Sequence, residues 1–260
     1  MHAEDNTGAQ AALEMADYYI HSSRDQVALQ FDKRNHELIT TVKQDIGNIY
    51  RQVLFIIAFS KDLDPNAKLE TLSLYNKACE SLTSSYVLLR QAAYVESIAL
   101  LRLSVECVCV GMHIGMDQEA FASFRASSFG MFPAKRSISF AKKHIAIIGA
   151  IWAALSKIAV HPNWHMYGAH HNSKTGYSVE MGKRETCEHQ DKATLLLIST
   201  IAGLIMRAIE ISMLESVNGD SQLLRIPGTD KIRNAFANAL INDRFNALQV
   251  LVQEEKAEAI

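Results

Sequence analysis

The chain has 260 residues, 48% of them hydrophobic, with only 4 prolines and 12 glycines, a composition that fills one sizeable core and excludes a disordered chain. A formal charge of -2 and an isoelectric point near 6.6 exclude bulk basicity as a means of holding nucleic acid or a membrane surface. Any RNA contact has to be focused on a local patch. The cysteines Cys79, Cys107, Cys109 and Cys187 form no C-x-x-C pair, and residues 1–10 lack the apolar run of a secretory signal. Both features read as reduced thiols in a cytoplasmic protein.

In chain order, residues 8–33 give an imperfect helical stripe, a peripheral helix. Residues 37–61 carry Leu38, Val42, Ile46, Ile49, Val53 and Ile57 at steps of three and four, one buried face of a helix that stops before Pro65. Residues 67–90 form a further amphipathic helix. A break near Gln91, Ala92 and Ala93 precedes a helix over 94–116 that is apolar almost all round and belongs at the centre of a bundle.

Residues 117–136 read as a short helix followed by a loop at Gly130 and Pro133. A second very apolar helix is expected from about Lys135 to Val160, ended by Pro162. Residues 163–183 lack helical periodicity and read as an irregular loop or small hairpin. Residues 187–216 return to helix. The tail from Lys231 is amphipathic, with a division expected at Asn242 and Asp243, and it docks either on its own bundle or on a second subunit.

Three stretches, 97–116, 144–160 and 193–214, approach the length of a membrane span. They contain Arg102 and Glu106, Lys157, and Arg207 and Glu210 respectively, charges that are costly in lipid, so no membrane partner is expected. The fold class is therefore all-α: a bundle of antiparallel helices over residues 67–217, N-terminal helices over 1–66 and a C-terminal helical extension over 218–260, together one compact unit.

The chemistry concentrates first in a polar stripe. Arg102, Glu106, Cys109 and His113 fall within a sector about 60° wide on the apolar helix over 94–116. Charges on such a helix have to pair, either as a structural ion pair that fixes register or as the lining of a binding pocket. Lys157 and His161, four residues apart beside Asn163, form a second polar cluster that can face Arg102 and Glu106.

Leu88 to Glu106, with its helix, break at Gln91–Ala93, opening Tyr94 and Arg102-x-x-x-Glu106, resembles the helix-break-helix of bacterial HEPN-like families. The helix-ending His161-Pro162 is similar to theirs as well. The resemblance implies a HEPN-like helical bundle, often a homodimer, acting in stress or phage defence. It further implies that Arg184 and His189, with four residues between them just ahead of the helix over 187–216, are the catalytic pair of a metal-independent endoribonuclease whose partner is RNA.

In such a pair the histidine moves a proton at the attacking 2′-hydroxyl and the arginine stabilises charge on the phosphate. No cofactor is implied. His161, His165, His170, His171 and His189, with Cys187, Glu185 or Glu188, offer metal-ligand types, but Pro162 interrupts the helix that would align the first two, and no metal ligand is assigned. No glycine-rich phosphate loop, nucleophile elbow or H-E-x-x-H is present. The alternative function is a non-catalytic binding or scaffold module that recognises a small ligand through the stripe or a protein through the C-terminal helices.

Overall fold

Helices account for all the regular structure among the described residues of the computed structural model, which are 23–59, 67–127, 133–159, 188–213, 241–247 and 249–250. They are α1 (Ser23–Arg34), α2 (His36–Phe59), α3 (Ala67–Arg90), α4 (Tyr94–Met116), α5 (Gln118–Ala126), α6 (Ala134–Ala141), α7 (Ile148–Ala159) and α8 (Glu188–Met213). A further helical stretch covers 241–247. The expected loop or hairpin over 163–183 lies outside the described residues.

Contacts between side chains give the helix directions. Tyr50 on α2 meets Cys79 and Thr83 on α3, and Ser85 on α3 meets Ser97 on α4 at 2.8 Å, so consecutive long helices alternate. On α8, Asp191 meets Tyr94 while Ser212 lies by Gly115. Along α2, Asp45 meets Ser199 and Gln52 meets the Met206 carbonyl. After the excursion through α5, α6 and α7, α8 therefore runs in the direction of α2 and α4.

A seam of small residues holds α3 against α4. At a seven-residue spacing Ser97 bonds Ser85, Ser104 donates to the Ala78 carbonyl at 2.9 Å, and Gly111 faces Tyr75. A Cβ at Gly111 would sit 2.9 Å from the Tyr75 ring, so glycine sets the approach there. The buried Tyr75 hydroxyl in turn bonds Ser212 at 2.5 Å and the Ala208 carbonyl, bringing α8 onto the same seam.

The break between α3 and α4 falls where expected. Ala92 N–H donates to Leu89 O and Ala93 N–H to Leu88 O, a Schellman closure that requires a left-handed residue, here Ala92 at φ 52°.

The single helix expected from Lys135 to Val160 is instead α6 and α7, divided by turns over 142–147 with bonds such as His144 N–H to Ala141 O and Ile148 N–H to Ile145 O. Ile138, Ala141, Ile145, Ile148, Ile151 and Leu155 are all buried, at steps that one continuous helix would also show, so the apolar pattern stays in phase across the break. Lys142 and Lys143 are good helix formers and Gly149 lies inside α7, so local propensity does not mark the break.

Among the described residues two helices, Tyr94–Met116 and Glu188–Met213, are long and apolar enough to cross a membrane, yet 61% and 72% of their most apolar stretches are buried inside the fold. α7, at 12 residues, is too short to span a bilayer.

The stretch 241–247 docks on the chain's own bundle. Ile241 is buried beside Gly203, where a Cβ would come within 3.0 Å of it. Arg244 bonds Asp45 at 2.9 Å and the Ser199 carbonyl at 3.1 Å. Residues 242 and 243, where a division is expected, are helical, and Asp243 caps no new helix.

Candidate functional site

The polar stripe of α4 resolves into separate contacts. Arg102 pairs with Glu106 at 3.0 Å, one turn apart. Glu106 also accepts from the Trp152 indole at 3.2 Å, and the Arg102 guanidinium lies 5.9 Å from the centre of that ring. The three side chains thus fasten α7 to α4 by an ion pair, a hydrogen bond and a cation–π contact. Arg102 and Glu106 are 28% and 24% exposed, and the buried Nε of Arg102 has no hydrogen-bond partner among the described residues.

Trp152 had no separate signal in the sequence, being one aromatic on an apolar helix. The expected neighbour of Arg102 and Glu106 was Lys157; its side chain, with His161 and Asn163, lies outside the described residues.

Cys109 and His113 do not join that cluster. Cys109 is fully buried, and burial pushes its thiol up to about 12, as it pushes Cys107 to about 11. Neither is an activated nucleophile. His113 sits at the other end of α4, stacked on Phe140 at 4.5 Å, with Nδ1 3.1 Å from the Ser137 hydroxyl and Nε2 3.7 Å from Asp117. Asp117 in turn caps α5 by accepting from the backbone of Glu119 and Ala120. His113 is therefore the junction of α4, α5 and α6.

The second locus is the head of α8. His189 occupies its first turn, half-buried, and its Nε2 is buried without a hydrogen-bond partner among the described residues. Arg184 lies outside the described residues. Two residues on from His189, Asp191 is fully buried. It accepts from the Tyr94 hydroxyl at 2.6 Å and from the Asn35 amide at 3.3 Å.

Asn35 stands between α1 and α2 and also donates to the Phe31 carbonyl, so one carboxylate gathers the α1–α2 junction, the first residue of α4 and the first turn of α8. Burial raises the Asp191 pKa, against the hydrogen bonds from Tyr94 and Asn35 and the charge of Arg34. The Asn35 Oδ1 has no hydrogen-bond partner among the described residues. None of Asp191, Tyr94 or Asn35 stood out in the sequence as part of a cluster. An acid in the first turn of a helix ordinarily signals an exposed residue complementing the helix dipole, as Glu188 does here beside Lys192.

Among the described residues no three His, Cys, Asp or Glu side chains gather to hold a metal ion; His161, His165, His170, His171 and Cys187 lie outside them. The chain matches no family model, no curated protein and no solved structure.

Proposed function

We propose that this chain is a HEPN-like helical protein that acts on RNA as a metal-independent endoribonuclease in bacterial stress or phage defence. His189 and Arg184 are its reacting pair. The observation that carries this reading is the His189 imidazole at the head of α8, half-buried, with one ring nitrogen turned inward and unpartnered among the described residues. That nitrogen makes no structural hydrogen bond among the described residues, so proton transfer would not compete with one, and the reading requires the first turn of α8 to expose it to RNA.

In the proposed step His189 takes the proton of an RNA 2′-hydroxyl as its oxygen attacks the adjacent phosphorus, the P–O5′ bond breaks to leave a 2′,3′-cyclic phosphate and a 5′-oxygen that takes up a proton from water, and Arg184 stabilises the charge that builds on the phosphate oxygens. The buried Asp191, Tyr94 and Asn35 contacts fix the backbone of the turn that carries His189. Arg102 and Glu106, engaged with Trp152, are assigned to holding α7 in place. The working assembly is proposed to be a cytoplasmic homodimer.

The test is incubation of the purified full chain with cellular RNA, with and without EDTA, as wild type, His189→Ala and His161→Ala. Cleavage that survives EDTA and His161→Ala but falls about a hundredfold or more in His189→Ala is expected. Cleavage lost on chelation would point to a metal held by the histidine-rich segment. No cleavage under any condition would return the chain to the class of non-catalytic binding modules.

A further inference from the structure

From Ala120 to Val179 the sequence holds seven Lys and Arg residues and not one Asp or Glu. That is +7 within a chain whose formal charge is -2, leaving the rest at -9. The described part of this segment concentrates the charge on one face. Lys135, Arg136, Lys142 and Lys143 are all exposed, and none has a carboxylate within ion-pair distance among the described residues.

Lys135 and Lys142, like Arg136 and Lys143, stand seven residues apart. That is two helical turns, and the tight turn after α6 keeps each pair on one line about 10 Å long. The buried side of the same helix is Ser137, Ile138 and Ala141.

Elsewhere the surface interleaves its charges, as in Lys77 with Glu80, Arg125 with Glu70 and Lys192 with Glu188. On α6 it does not. Lys135 and Arg136 lie in a first helical turn that contains no acid, where the helix dipole disfavours cations. Lys142 lays its aliphatic stem over Gly149 of α7, but the four like charges, held together against both costs, add no ion pair to the fold among the described residues.

We propose that this face binds the phosphate backbone of single-stranded RNA as an anchoring surface, about 25–30 Å along α4 from the head of α8, judged from helical rise. The choice of RNA rests on the function proposed above; the charge argument stands without it. A nucleic acid fits better than an anionic membrane because, among the described residues, α6 and the turns after it present no large exposed hydrophobic side chain, and a membrane-seated basic helix needs such residues to insert. The exposed His144 ring, beside Phe140 at 5.1 Å, offers a base a surface to stack on.

The experiment measures fluorescence anisotropy of a labelled 2′-O-methyl oligouridylate, which has no free 2′-hydroxyl and survives a 2′-hydroxyl mechanism, titrated with the full chain from 50 to 200 mM salt. The variants are K142Q/K143Q, the fourfold K135Q/R136Q/K142Q/K143Q, and the control K33Q/K43Q on α1 and α2, with circular dichroism to confirm folding. Vesicles containing phosphatidylserine are the comparison probe.

The surface is supported if wild type binds the oligonucleotide and the double and fourfold variants weaken progressively. The fourfold loss should be about tenfold or more, with a salt slope shallower by about 0.7 per lost contact, while the control is unchanged. It is overturned if wild type does not bind, if the control loses as much, or if vesicles are bound in preference. Binding without cleavage of unmodified RNA sinks the ribonuclease reading and leaves this surface standing. Cleavage with affinity unmoved by the substitutions does the reverse.

Discussion

His113 and Asp191 are both buried titratable groups, and their pH effects have opposite signs. Burial lowers the His113 pKa below its ordinary 6.5, with Arg136 and Lys143 pushing the same way and Asp117 opposing. The folded chain thus holds a neutral imidazole at a pH where the unfolded chain has already taken a proton. Stability is intact above 6.5 and is lost as the pH falls from there through the folded value. Urea unfolding at pH 7.5 and pH 5.0 should show a larger acid loss for wild type than for His113→Gln. Identical losses would contradict the assignment.

Asp191 is the reverse case. Its pKa is raised above 3.8, so the fold takes the proton first and gains stability as the pH falls through the folded value. At neutral pH the buried charge is already penalised, which makes Asp191→Asn mild, within about 1 kcal/mol, because the new amide still accepts from Tyr94 and can donate to the unpartnered Asn35 oxygen. Asp191→Leu removes the buried acceptor of the Tyr94 hydroxyl and of one Asn35 amide bond and should cost about 3 kcal/mol. Equal effects of the two substitutions in denaturant titration would remove the cluster from the account.

At the scale of elements, the turn between α3 and α4 carries a local strain that can be released. Ala92 occupies the left-handed C′ position, where an L side chain costs about 1–2 kcal/mol and glycine costs less. Ala92→Gly should raise stability by about 1 kcal/mol, or roughly 2–4 °C in Tm; a lower Tm would contradict the reading of this turn.

The bounds of α3 and α4 were legible because a proline-bearing start and a break at Gln91–Ala93 frame long apolar runs. The division of α6 from α7 was hidden, since the buried positions on either side of the turn keep the same phase. The stripe on α4 misled in a related way. Periodicity fixes which residues share a face, but Arg102 and His113 lie eleven residues, about 16 Å, apart on that face, and each meets a different helix. Trp152 and the Asp191 cluster were invisible because their meaning depends on partners distant in sequence.

For the whole molecule, docking of the C-terminal stretch depends on a largely buried arginine and a buried aspartate. Arg244 holds Asp45, which also accepts from Ser199. Arg244→Ala leaves that carboxylate without its cation and should cost about 2–3 kcal/mol, with faster hydrogen exchange in residues 241–247. Unchanged exchange would mean that Ile241 and Phe245 hold the stretch without help. The tail's apolar periodicity announced that it docks, but the choice between its own bundle and another subunit rested on Gly203 and Asp45, which no local pattern connects to it.

Proton transfer by His189 is tested by the rate at which the purified chain cleaves unmodified RNA in EDTA, compared between wild type and His189→Ala at equal folded concentration. Metal-independent cleavage that falls about a hundredfold or more on removing the imidazole is expected. Equal cleavage by the two proteins, or none by either, would contradict it.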